Sequence, residues 1–146
     1  MKIVLTVGLP GSGKSTYLAR LGVNAISSDE MRRLIADDPE DQTLHGRVFA
    51  SIRFLVRQRL AAGRPVTYVD ATHLTRRERR PYVEIARRHG CELEALFFDV
   101  PVEVCLRRNR KRGRQVPESA IRAMAARLQP PAVEEGFARV QRIAAG

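Results

Sequence analysis

Val4-Leu5-Thr6-Val7-Gly8-Leu9-Pro10-Gly11-Ser12-Gly13-Lys14-Ser15-Thr16 decides how the rest of the chain is read. Residues 8–15 fit G-x-x-x-x-G-K-[ST], the phosphate-binding loop. That loop needs a strand to deliver the chain, glycines that let successive backbone N–H groups turn inward, and a helix whose N-terminus faces the anion. The apolar run before it and Tyr17-Leu18-Ala19-Arg20-Leu21 after it supply the strand and the helix. Gly8, Gly11, Ser12, Gly13, Lys14, Ser15 and Thr16 are therefore the candidate nucleotide-binding set. Lys14 is placed to reach the outer phosphates as a point charge, and the Ser15 hydroxyl to ligate an accompanying Mg2+. The pattern arises by chance in on the order of half a percent of chains of this length, so a turn that binds nothing is the weaker reading.

At 146 residues the chain reads as one domain, 1–146, with room for a single core of a sheet and covering helices. Its 44% hydrophobic and 29% charged residues are those of a globular protein. No apolar run approaches the roughly 20 residues of a bilayer span, so no membrane partner is expected. Cys91 and Cys105 lack the spacing of a metal site or a disulfide framework, which makes a reducing cytoplasm the default compartment. Twenty-six basic against sixteen acidic residues give a net charge of +10, which suits a polyanionic partner as well as a nucleotide. Eight aromatics and no Trp argue against an extended base-stacking platform.

Beyond the loop, strands alternate with helices. Val23–Ser27 reads as a short buried strand, and Ser28-Asp29-Glu30-Met31-Arg32 opens a helix with Ser/Asp at its cap. Asp29 is either a cap or an active-site acid. Its strand ends on the sheet edge where open α/β folds bind ligands, and Arg32, three residues on, shares its helix face. The acidic loop 37–41 is expected to cap an amphipathic helix over Thr43–Ala62, with Arg47, Arg53, Arg57 and Arg59 as a solvated face and His45 as surface. Val66–Asp70 is a third strand. A carboxylate at its C-terminal end is the place for a second Mg2+ contact. Thr75 caps a helix running to His89, with Gly90 at its end, and the Arg76-Arg77-Glu78-Arg79-Arg80 start opposes the helix dipole and hints at an anion nearby. Glu92–Val100 is a fourth strand. The helix begun by Pro101 runs into Arg107-Arg108-Asn109-Arg110-Lys111-Arg112-Gly113-Arg114, cations that phosphates would help to hold together. Helices are then expected from Pro117 and over Val133–Ala144. The fold class is three-layered α/β with a mostly parallel sheet of about four strands.

The phosphate loop, Ser28-Asp29-x-x-Arg32, Val69-Asp70-Ala71-Thr72, and Phe98-Asp99-Val100-Pro101 through Arg108-Asn109-x-Lys111-Arg112-Gly113-x-x-Val116-Pro117 carry a resemblance that spans nearly the whole chain. In these motifs the chain resembles the 5'-kinase domain of the polynucleotide kinases, as found in the bacteriophage kinase-phosphatase and in bacterial end-healing enzymes. The resemblance implies ATP- and Mg2+-dependent phosphorylation of a 5'-hydroxyl end of DNA or RNA. It implies Lys14 and Ser15 on the donor phosphates and Mg2+, Asp29 as the general base, and Arg32 on the phosphate 3' to the acceptor nucleotide. Arg112, supported by Arg108, matches the arginine of a lid at about 107–117, and Asp70 and Thr72 match positions beside the substrate. A separate phosphatase or ligase would complete end repair. Two readings compete: a phosphotransferase of the same fold acting on a sugar, nucleoside or antibiotic, and a regulatory module that binds ATP without turnover.

Overall fold

Strand β1, Lys2–Val7, is apolar on both sides, as a strand in the middle of a covered parallel sheet must be. Ile3, Leu5 and Val7 face one hydrophobic core and Val4 faces another. The computed structural model describes residues 1–113 and 115–144; Arg114, part of the expected lid, and the last two residues lie outside that set. Among the described residues the order is β1, α1 (Lys14–Leu21), β2 (Ala25–Ser27), α2 (Ser28–Ala36), α3 (His45–Ala61), β3 (Val66–Asp70), α4 (Arg76–His89), β4 (Glu92–Asp99), α5 (Val102–Arg110), α6 (Glu118–Arg127), a 3-10 turn (Val133–Glu135) and β5 (Arg139–Ala144).

The sheet runs β2-β3-β1-β4-β5, and every pairing is parallel. The chain passes from β1 to the edge strand β2, returns to β3 beside β1, and then crosses to β4 and β5 on the other side. The C-terminal ends of β1 and β3 therefore flank the switch point where such sheets open a ligand crevice. On one face, Val48, Ile52 and Val56 of α3 and Tyr82 and Ile85 of α4 close over Leu5, Val69, Leu93 and Phe97. On the other, Leu18 of α1 packs on Val4, Leu96 and Phe98. A third cluster, Leu9, Leu74, Val100 and Cys105, seats the phosphate loop on α5.

The sheet has five strands among the described residues rather than about four. The segment expected as a helix over Val133–Ala144 is instead the 3-10 turn and β5. Val133, Phe137 and Val140 recur at spacings of four and three and so imitate a helical stripe, but Gly136 at φ +125 breaks the chain direction. In β5, Val140 then packs on one core and Ile143 on the other. Smaller differences have equally local causes. The cap of α2 is Ser27, whose side chain accepts from Glu30 N, one residue earlier than expected. The acidic loop closes on itself, Asp38 accepting from Glu40 N and Asp41 from Thr43 N, and leaves α3 capped by Leu44 without a side-chain bond. Arg59 is not on a solvated face: its guanidinium donates to Thr67 Oγ1 at 3.1 Å and Val66 O at 2.8 Å, tying α3 to β3. The Thr75 and Gly90 caps of α4 are as expected.

One buried ion pair fastens α4 to the segment before β5. Arg79 is fully buried, donates to both Glu135 oxygens at 2.9 and 3.0 Å, and donates to His73 O at 2.8 Å. Glu135 also accepts from Ala132 N. With this many bonds satisfied, removing one partner strands the other charge in the interior, at a cost of about 3–5 kcal/mol.

Candidate active site

The phosphate loop holds its shape because side chains are absent where backbone must approach. Gly11 sits at φ +83, and a Cβ there would lie 2.7 Å from the carbonyl oxygen of Cys105. Gly8 is packed against Phe98 and Ser12, and its N–H donates to Thr72 O at 3.0 Å, joining the loop to the end of β3. A second link is Thr6, whose hydroxyl donates to Ala71 O at 2.8 Å and accepts from Ala71 N at 3.1 Å. His73 completes the joint. Its Nδ1 bonds Thr6 O at 2.6 Å, and burial pushes its pKa down to about 4, so the ring is neutral and donates from Nδ1.

Lys14, at the first turn of α1, is 9% exposed. Its ammonium donates back to Gly8 O at 3.1 Å and Leu9 O at 2.9 Å. Burial lowers its pKa to about 8, against the opposing pull of the Asp70 and Asp29 carboxylates, while Arg112 lowers it further. A cation held this far from water is poised for an anion that restores its charge. Beside it, Ser15 Oγ donates to Asp70 Oδ2 at 2.7 Å. A hydroxyl and a carboxylate from these two elements make an oxygen donor set that fits Mg2+, which takes few protein ligands and completes its shell with phosphate and water.

Across the crevice, α2 presents a second pair of charges. Asp29 Oδ1 lies 3.5 Å from Arg32 NH1, the Asp side chain 57% exposed and the Arg side chain 5% exposed. Arg32 Nε is buried and has no partner among the described residues. An unpaired donor on a buried cation costs free energy unless an acceptor reaches it, and an incoming anion could. From the opposite side, Arg108 NH1 reaches Gly11 O at 3.4 Å. Asn109, at the end of α5, holds the chain beyond that helix by donating to Val116 O and accepting from Val116 N.

These groups line a single cleft of about 1530 Å³. Gly11, Ser12, Gly13, Lys14, Ser15, Thr16, Asp29, Arg32, Asp70, Thr72, Arg108 and Arg112 all open onto it. Gly8 does not; it lies behind the loop, where its lack of a side chain matters for packing rather than for contact. Arg108, in the last turn of α5, and Arg112, in the loop beyond its end at Arg110, both line the cleft. The far wall is new. Pro39, Gln42, His45 and Phe49 line it; His45 is exposed, as expected, with its ring 4.7 Å from that of Phe49. Nothing in the sequence marks which residues of the loop before α3 fold over the crevice.

A family model described as an AAA domain matches residues 3–131, which takes in every element of this cleft up to α6. The chain belongs to that AAA-domain family. It is a P-loop kinase domain related to the polynucleotide kinases. The bifunctional polynucleotide phosphatase/kinase of Schizosaccharomyces pombe is 27% identical over 151 residues, covering 97% of this chain and 33% of that protein. A chain of the Pnkp1/Rnl/Hen1 RNA repair complex superposes with a TM-score of 0.74 at 27% identity, over 88% of this chain and 44% of its own. The Mycobacterium tuberculosis APS kinase CysC, solved with AMPPNP and APS, matches with a TM-score of 0.64 at 22% identity, over 98% and 83%, and so shares the fold. This AAA-domain chain thus spans a third of the curated relative and under half of the repair-complex subunit. No helix among its described residues is long and apolar enough to cross a membrane.

Proposed function

We propose that the domain transfers the γ-phosphate of ATP to a 5'-hydroxyl end of DNA or RNA. The observation that carries this reading is the Asp29–Arg32 pair, which faces the phosphate loop across one cleft with the arginine buried and one donor unused. A carboxylate and a phosphate-seeking guanidinium three residues apart suit an acceptor that offers a hydroxyl beside a phosphodiester. The relatives named for polynucleotide kinase and RNA repair support the same acceptor.

In this reading Asp29 orients the 5'-hydroxyl and takes its proton as the new P–O bond forms and the bond to the β-phosphate oxygen breaks, releasing ADP. The transition state of phosphoryl transfer is loose, so a carboxylate of ordinary basicity suffices if it is well placed. Lys14 contacts the donor phosphates and regains full charge on doing so. Arg112, with Arg108, meets the charge that develops on the donor; an arginine in that role is worth roughly 10^3 to 10^5 in rate. Ser15 and Asp70 would hold Mg2+, which supplies charge neutralisation on the β- and γ-oxygens. Arg32 and Thr72 position the acceptor.

The test is Asp29→Ala assayed two ways. ATP binding stays within about threefold of wild type while transfer to a 5'-hydroxyl oligonucleotide falls at least a hundredfold, general-base removal being worth roughly 10^2 to 10^4. Near-normal transfer by the variant would remove Asp29 from the chemistry. A small-molecule kinase would instead show turnover that is insensitive to acceptor length and to salt.

A further inference from the structure

The basic start of α4 is left over from the site just described. On this helix Arg76, Arg77, Arg80 and Arg87 fall within one arc, since residues three, four, seven and eleven apart share a face. They border a groove floored by Val83. Arg76 is matched by Glu134 at 2.7 Å, and Arg79, on the inner face, by Glu135. Arg77, Arg80 and Arg87 are exposed and have no acidic partner among the described residues. Glu84 is the one further acid on the groove, and it pairs with none of them. Arg77 and Arg80 stand in the first turns of the helix, where the dipole disfavours cations. Their free charge has no internal purpose.

The start of α4 reaches both surfaces, the groove on one side and the cleft on the other. Leu74 and Glu78 line the cleft while Arg76, Arg77 and Arg80, in the same turns, line the groove. From Arg77 to Arg87 the helix carries the stripe about 15 Å away from the site. We infer that the α4 stripe is a docking track for the phosphate backbone of a single-stranded acceptor beyond its first nucleotides, with Arg77, Arg80 and Arg87 each facing a phosphate. This inference rests on the polynucleotide reading, and it assigns length preference to a surface outside the chemistry.

The experiment compares wild type with R77Q/R80Q/R87Q on two acceptors, a nucleoside 3'-monophosphate and a 5'-hydroxyl 20-mer, across 50–300 mM salt. A second variant, R57Q/R64Q, removes two exposed arginines elsewhere. The triple variant should raise KM for the 20-mer about tenfold and flatten the log–log salt slope by about 2, each single-strand phosphate contact carrying about 0.7. Turnover of the mononucleotide should not change, nor should R57Q/R64Q alter either acceptor. An unchanged 20-mer KM and slope in the triple variant would overturn the inference, as would an equal loss in R57Q/R64Q, which would reduce the effect to net charge. Anisotropy of a labelled 20-mer without nucleotide separates the two readings. If wild type phosphorylates neither acceptor, the proposed function fails, and the track still stands or falls on whether the triple variant releases the 20-mer. A triple variant that releases a polyglutamate peptide but holds the 20-mer as wild type does would reassign the stripe to an acidic protein and overturn the inference.

Discussion

On the proposed function, Lys14 should make ATP affinity depend on pH in a range where the nucleotide itself does not titrate. Its pKa falls from 10.5 in water to about 8 in the folded, nucleotide-free protein because the ammonium is buried. That difference corresponds to about 3 kcal/mol of net preference for the neutral amine over the charged one. The sign follows from where protons sit. Between pH 8 and 10.5 the unfolded chain keeps a proton that the folded chain has lost, so the free protein gains stability as pH rises through that window and lacks that contribution below pH 8. ATP reverses the preference, since bound phosphates favour the charged form. At pH 7.5 most of the free protein carries the proton already, while at pH 9 only about a tenth does, so binding must take one up and affinity should drop about tenfold per pH unit above 8. Calorimetric titration with ATP and Mg2+ from pH 7.5 to 9.5 reads this directly, with Lys14→Arg as the control because a guanidinium stays charged throughout. Arg binding should be weaker but flat. A flat wild-type profile, or the same decline in Lys14→Arg, would refute the reasoning.

Three further perturbations test other parts of the account. Gly11→Ala forces a Cβ to within 2.7 Å of Cys105 O at a left-handed φ; the strain of about 1–2 kcal/mol should lower Tm by roughly 3–8 °C and weaken ATP binding at least tenfold. Glu135→Ala leaves the buried Arg79 charge unpaired and should cost about 3–5 kcal/mol in urea denaturation, whereas Arg79→Met with Glu135→Leu should recover most of it. Asp70→Asn leaves an amide oxygen that can still accept from the Ser15 hydroxyl but removes the negative charge near Lys14; the Mg2+ concentration for half-maximal turnover should rise about tenfold, and an unchanged Mg2+ requirement would take Asp70 out of the metal site.

What the sequence made legible follows the range of the physics. The phosphate loop is local: a strand, three glycines and a Lys-Ser pair define it wherever the rest of the chain goes. The Asp29–Arg32 pair is also local, because spacing of three on a helix brings the groups to the 3.5 Å the structure shows. The edge strand β5 was illegible. Its apolar residues imitate a helical period, and only pairing with β4, more than 40 residues earlier, makes it a strand. The Arg79–Glu135 pair was hidden for the same reason: Arg79 sits in a run of arginines that differ only in which way they face, and its partner lies 56 residues on. The far wall of the cleft, Pro39 and Gln42 from the segment before α3 and His45 and Phe49 from its first turns, depends on how the acidic loop closes over the sheet edge. Gly8 belongs to a motif whose contacts are to nucleotide, yet its neighbours Phe98 and Thr72 come from the ends of β4 and β3.

The identity of the acceptor is tested most directly by one assay: γ-labelled ATP and Mg2+ with 5'-hydroxyl DNA, 5'-hydroxyl RNA, a nucleoside 3'-monophosphate, a nucleoside and a panel of sugars in parallel. The account predicts label at the 5' end of an oligonucleotide, more efficiently than on a nucleoside 3'-monophosphate and less so as salt rises. Label on a sugar or nucleoside, with none on either oligonucleotide, would contradict it.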